Sequence, residues 1–196
     1  MLSPAEIRAR YDAVRADVGP DVTIVAATKY VSLEEMASLA DAGIEVVGEN
    51  RAQELEAKHA AYGDAFRWHF IGRLQSNKAK VVNRICELVH SVDSHSVAER
   101  LEVPALVQVN LAAEGSKGGV RPQELDAYLR DGIVGLSTMP PAADDPEKSR
   151  EWFRRLRELA VGKGLAELSM GTTQDYRVAA EEGATYVRVG SVLFRG

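Results

Sequence analysis

Eight short apolar runs recur along this chain, each followed by a segment with helical spacing, and that alternation restricts the fold more than any other feature. The runs span 22–29, 45–50, 67–72, 87–93, 104–111, 132–139, 167–173 and 186–194. They are rich in Val and Ile and short, the pattern of strands buried on both faces in a parallel sheet. Between them lie helix start signals. Ser32 and Glu35 have the spacing of a capping box. Pro122 and Pro146, the latter after Asp145, stand where a first helical residue belongs. The segment 145–161 reads as the longest and most charged helix, and an extra helix over about 4–18 precedes the first strand. The alternation predicts an α/β chain forming one domain over 1–196, a closed (β/α)8 TIM barrel with an extra N-terminal helix. An open doubly wound sheet is the alternative; eight units in 196 residues favour closure.

The chain is short for such a barrel, which typically runs to ~250 residues. The tightest place is SHSVAERLEV, between Asp93 and Pro104. It is close to the minimum of ~10–12 residues for a parallel crossover, so a stunted helix, or missing residues, is expected there. Net charge is −5 and the pI is about 5.5. No global basic field invites nucleic acid, although local backbone donors still suit small anions. A lone cysteine, Cys86, permits no disulfide within the chain and fits a reducing compartment. No apolar run approaches the ~20 residues of a membrane helix, and the N-terminus lacks the apolar core of a signal peptide. A cytoplasmic protein is expected, with neither membrane nor nucleic acid as partner. No exposed apolar stripe argues for a large interface, so a monomer is expected.

The first strand ends on a positive charge, in IVAATKY. Lys29 shares a strand face with Ala27, Val25 and Thr23, while Thr28, Ala26 and Ile24 share the other. With the Lys29 face turned into the barrel, the small Ala27 leaves room at the mouth. Chemistry collects at the C-terminal ends of barrel strands. A partly desolvated amine there is a nucleophile able to form a Schiff base. Strand 1 alone favours the plainer reading, a lysine reaching for water.

The seventh strand supplies the second half of the pattern. It runs into SMGTTQD (169–175), a turn of small residues leading into a helix. Gly171 permits close backbone approach, Thr172 and Thr173 offer hydroxyls, and Gly190 and Ser191 after strand 8 offer more donors. Barrels often bind phosphate after strands 7 and 8. In a closed barrel strand 8 pairs with strand 1, so amine and anion site converge. A phosphorylated aldehyde has both complements, and pyridoxal 5′-phosphate (PLP) is such a molecule. Arg188 lies on the face of Gly190, one pleat deeper. A guanidinium there either meets the pyridine nitrogen, opposing ring protonation and weakening the electron sink, or closes an internal salt bridge to a residue such as Glu49.

Several stretches together resemble the pyridoxal phosphate homeostasis proteins: TKY (28–30), GENRAQE (48–54), WHFIGRLQSNK (68–78), HSVDS (90–94), SKGG (116–119), LSMGTTQD (168–175) and VRVGSVLF (187–194). The resemblance covers nearly the whole chain in order. It implies a barrel similar to the N-terminal domain of alanine racemase, holding PLP as a Schiff base on Lys29. Carried over by position, Asn50 is a cofactor-proximal polar group. Ser169, Gly171 and Thr173, with Gly190 and Ser191, form the phosphate cradle, and Arg188 is the partner of the pyridine nitrogen. The chain departs from the family pattern at Tyr30, where a proline is usual. It departs again at Thr172-Thr173, where Met-Ser is common; the second hydroxyl is kept. A methionine is frequent at position 137, which is Ser137 here, leaving Met139 as a ring neighbour.

Other polar residues read as structural. His69 reads as a core histidine; Gln75, Asn77 and Lys78 as solvated first-turn positions; Cys86 as packing. His59, His90 and His95 lack metal-like spacing with any cysteine. The resemblance therefore implies a PLP carrier or buffer that is not an enzyme, with PLP-dependent apoenzymes as recipients. The alternative is a PLP-dependent amino-acid racemase-like enzyme. Such a racemase needs a second acid/base from a further β domain, and the sequence stops at Gly196 after strand 8, so binding is favoured.

Overall fold

The computed structural model describes residues 2–113 and 118–194, so Ser116 and Lys117 of the SKGG stretch lie outside the described residues. The chain opens with α1 (Pro4–Val18), the extra helix expected from the sequence. Ser3 caps it: the Ser3 hydroxyl accepts from the Glu6 N–H, and the Glu6 carboxylate accepts from the Ser3 N–H at 2.8 Å. Ile7, Val14 and Val18 repeat at helical spacing and form its buried face.

The barrel then builds in order: β1 (Thr23–Ala27), α2 (Met36–Asp41), β2 (Val46–Glu49), α3 (Ala52–Tyr62), β3 (Arg67–Phe70), α4 (Ala79–Ile85), β4 (Leu88–Val92), α5 (His95–Ala98) and β5 (Ala105–Gln108). A 3-10 helix, Pro122–Tyr128, leads to β6 (Ile133–Ser137). There follow α6 (Arg150–Gly162), β7 (Glu167–Thr172), α7 (Tyr176–Glu181), β8 (Tyr186–Val189) and α8 (Ser191–Phe194). Each strand pairs in parallel with the next, and β8 pairs with β1, so the sheet closes. All eight predicted strands are present, each shorter than its apolar run.

Three helical expectations are refined. The Ser32–Glu35 capping box forms, with the Ser32 N–H donating to the Glu35 carboxylate at 2.8 Å, but regular helix starts only at Met36. The segment after Asp145 begins as a 3-10 turn, Pro146–Ser149, in which the Asp145 carboxylate accepts from the Glu147 N–H; α-helix starts at Arg150. The tight crossover between β4 and β5 holds only the single turn of α5, the stunted helix that its length requires.

Strand alternation divides the buried residues into two layers. Ile24 and Ala26 join the apolar cluster packed under the helices, with Leu39, Leu55, Phe70, Phe153 and Val187. Val25 is fully buried outside that cluster. It therefore faces the barrel interior, as do Ala27 and Lys29 at the same period. Gly48 shows why that face is tight: a Cβ there would stand 2.8 Å from a Val25 methyl.

On the helix side of β2 sits a buried ion pair. Glu49 is fully buried and Lys58 of α3 nearly so, and the two form a salt bridge. Lys58 Nζ also donates to the Thr28 carbonyl at 2.9 Å, and Thr28 Oγ1 donates to Glu49 Oε1 at 2.6 Å. This group ties the end of β1, immediately before Lys29, to β2 and α3. Removing one charge leaves the other buried without compensation. Lys58→Met is expected to lower unfolding free energy by ~3–5 kcal/mol, while Lys58→Met/Glu49→Leu recovers most of it. Urea denaturation of the three chains checks this; equal loss in single and double variants would contradict it.

Candidate functional site

The C-terminal ends of the strands open into a cavity of about 620 Å³, within the range of cofactor sites. Ala27 and Lys29 form one wall at the end of β1, and Asn50 and Gly72 follow from β2 and β3. On the other side of β1 the lining continues with Arg188, Gly190 and Ser191 at the end of β8, Thr173 after β7 and Met139 after β6. Six of the eight residues predicted from sequence thus line one cavity: Lys29, Asn50, Thr173, Arg188, Gly190 and Ser191.

Lys29 is exposed on the cavity wall, not half-buried as a desolvated amine would be. Its ammonium lies 4.9 Å from the centroid of the Tyr30 ring, a cation–π distance. Tyr30, the departure from the family proline, is itself 73% exposed and also lines the cavity.

Arg188 is buried, and burial pulls its guanidinium down to about 10, partly offset by the charge of Asp175. It remains a cation at neutral pH. Nη2 donates to the Thr138 carbonyl at 2.8 Å and lies 3.3 Å from Met139 Sδ. Arg188 Nε is a buried polar atom with no hydrogen-bond partner. Such a donor costs about 1–3 kcal/mol unless an acceptor meets it. The alternative salt bridge to Glu49 is excluded by the fold, because Glu49 faces the helix layer and is taken by Lys58.

The loops after β7 and β8 are joined by the Gly190 N–H, which donates to Thr173 Oγ1 at 3.1 Å. That N–H is engaged within the protein, while the Thr173 hydroxyl hydrogen is left for another acceptor. Gly190 is a close-approach position: a Cβ would stand 3.3 Å from the Ala27 carbonyl oxygen. The residue that shapes this loop went unrecognised in the sequence. Asp175 Oδ1 accepts from the Thr172 N–H at 2.7 Å and its hydroxyl at 3.1 Å, while Oδ2 accepts from Ser149 at 2.8 Å. The legible signal was an Asp three residues after Thr172, the spacing at which side-chain oxygens fold a turn back on itself.

Two predicted cradle residues lie elsewhere. Gly171 has φ +88°, and a Cβ there would fall 2.5 Å from the Ala179 Cβ and 3.0 Å from the Tyr176 Cα. Glycine is required because β7 and α7 pack closely. Ser169 is fully buried below the cavity, and its Oγ lies 2.7 Å from His90 Nδ1.

Ser169 belongs to a polar chain inside the barrel. His90 Nε2 lies 2.9 Å from His69 Nδ1, the Ser137 hydroxyl donates to the His90 carbonyl, and the Tyr186 ring meets both imidazoles edge-on. Ser137 thus sits beneath the site, while Met139 is the cavity-lining residue of that strand. His69 is a core histidine, as read. His90, which lacks metal-like spacing in the sequence, instead bridges His69 and Ser169. Burial, and then the charge of Arg67, lowers His69 to about 4. Burial first, then the charges of His69 and Arg188, holds His90 well below the usual range. Both rings are neutral in the folded chain. Between the ordinary value of 6.5 and about 4 the unfolded chain binds protons that the folded chain does not. Stability therefore falls as pH falls through that window, with a slope of ~1.4 kcal/mol per pH unit for each histidine. The variant His90→Asn should show a shallower loss of unfolding free energy between pH 6.5 and 5 than the parent chain; parallel profiles would contradict the assignment.

Among the described residues no group of His, Cys, Asp and Glu is arranged to hold a metal. Among the described residues no helix is long and apolar enough to cross a membrane.

A parallel barrel with an amine at the end of β1 and polar loops after β7 and β8 defines the class: the alanine racemase N-terminal domain, whose family profile matches residues 2–196. The alanine racemase of Corynebacterium glutamicum has this fold, with a TM-score of 0.76 at 15% identity, over 98% of this chain and 61% of that one. Nearer relatives narrow the assignment. The pyridoxal phosphate homeostasis protein of Aquifex aeolicus is 39% identical, over 87% of this chain and 85% of its own length. That of Deinococcus radiodurans is 39% identical over 88% of each. The structure of PipY from Synechococcus elongatus with PLP bound superposes with a TM-score of 0.84 at 32% identity, over 96% of this chain and 99% of that one. The chain belongs to the pyridoxal phosphate homeostasis protein family.

Proposed function

We propose that the chain binds PLP in this cavity, tethered as a Schiff base to Lys29, and serves to hold and release that cofactor without turning over a substrate of its own. One observation carries the reading: the Lys29 amine, the unpartnered Arg188 Nε and the Thr173–Gly190–Ser191 wall meet around a single cavity of cofactor size. The names of the relatives and the PLP-bound state of PipY support it.

Bound, the cofactor supplies a reactive aldehyde and an electron-withdrawing ring. The protein's own residues then have separable tasks. Lys29 presents its nitrogen to the aldehyde from an exposed position, which suits reversible capture. The Thr173 hydroxyl and Ser191 would hold the phosphate. Arg188, with its unpartnered Nε–H, would hold the ring nitrogen and, as a cation, would oppose its protonation. An unprotonated ring is a poorer electron sink, which weakens carbanion stabilisation without excluding it. The Thr138 carbonyl and Met139 hold the guanidinium in place. The recipients in this reading are PLP-dependent apoenzymes, and the exposed position of Lys29 at the cavity supports release to them.

Purified protein given PLP is expected to absorb in the visible as a lysine-linked chromophore, and Lys29→Ala to lose that band entirely. Arg188→Leu should weaken PLP binding about tenfold, the order of one charged-group hydrogen bond. A panel of L- and D-amino acids incubated with the loaded protein should give no racemisation or decarboxylation above the Lys29→Ala background. Turnover above that level would replace the carrier reading with the enzymatic one.

A further inference from the structure

A second cleft, of about 670 Å³, lies beside the cofactor cavity on the same face of the barrel, over the ends of β2, β3 and β4. The two share Asn50. Its floor is apolar and buried, with Phe70, Leu74 and Val97. Its walls come from the GENRAQE and GRLQSNK stretches, most of which the cofactor reading leaves without a task.

The charge around this cleft is opposite in sign to that of the chain. Net charge overall is −5. Yet the cleft is lined by Arg51, Arg73 and Lys78 against one carboxylate, Asp93. Arg73 reaches Asp93 at 3.2 Å, which leaves Arg51 and Lys78 as the uncompensated cations. Neither side chain caps a helix, and among the described residues neither makes a hydrogen bond or ion pair. The amides of Gln53 and Gln75 face the same space, and Gln75 likewise caps nothing. Lys78 and Gln75, read from sequence as solvated first-turn positions, thus line a concave site; Asn77 does not. Two cations and two amides idle in the fold, grouped in a cleft at the C-terminal end of barrel strands, are what recognition of a small anion needs.

We infer that this cleft binds a small organic anion, carboxylate- or phosphate-bearing, separated from the cofactor cavity by the Asn50 wall. Arg51 offers a planar fork of donors and Lys78 a point charge, while the two glutamines accept or donate to flanking hydroxyl or carbonyl groups. Because Asn50 borders both spaces, occupancy of one is in position to alter the other.

The test is titration of the 15N-labelled chain, with and without PLP, using inorganic phosphate in one arm and succinate in the other. Amide shifts that saturate at 51–53 and 75–78 are expected with at least one anion, identifying the phosphate or the carboxylate class. The variant Arg51→Gln/Lys78→Gln should weaken that binding by about tenfold or more, the scale of a lost charge-assisted contact, with the rest of its spectrum unchanged. Its PLP chromophore should persist, so failure here is separable from failure of the cofactor site. Shifts confined to 172–174 and 190–191, no saturation in either arm, or equal affinity in the variant would each overturn the inference.

Discussion

The hydrogen bonds between β8 and β1 fix the distance between the two halves of this site. Register pairs Val25 with Arg188 and Ala26 with Val189. Lys29 and Gly190, one at each strand's exit, therefore open on the same space. Nothing local places a lysine from the first strand beside a threonine from the loop after the seventh. Closure of the sheet does so, and the short crossovers keep the mouth compact. The Lys58–Glu49–Thr28 group then sets the angle at which the chain leaves β1, since it holds the carbonyl immediately before Lys29.

The barrel interior supports the site from below with polar groups rather than an apolar plug. His69, His90, Ser137 and Ser169 satisfy one another, and Arg188 stands over them with one donor left unpaired. A neutral imidazole pair beneath a guanidinium adds no second positive charge to the interior, which keeps the cost of burying Arg188 within reach. The unpaired Arg188 Nε–H is the donor on which the cofactor reading draws.

Much of this was legible in the sequence because periodicity and chain order carry it. Alternating Val-rich runs and capped helices specified eight strands, and strand parity put Lys29, Ala27 and Arg188 on inner faces. What failed was the distinction between residues near a site in sequence and residues lining it. Ser169 and Gly171 sit in the right motif, but Ser169 lies deeper on the inner face, against His90, and a close helix contact sets Gly171 against Ala179. His90 has no local signature, because it bridges strands 79 residues apart, whereas Asp175 does carry one in its spacing from Thr172. The helix starts were placed within a turn, and the 3-10 geometry after Asp145 has no clear signature in residue type.

The central claim is that Lys29 carries the cofactor. Reduction of the PLP-loaded protein with borohydride, followed by peptide mapping by mass spectrometry, addresses it directly. The account predicts a phosphopyridoxyl group on the peptide containing Lys29 and on no other lysine at stoichiometric yield. Label at Lys78 or another lysine in its place, or a loaded protein from which reduction recovers no covalent adduct, would contradict it.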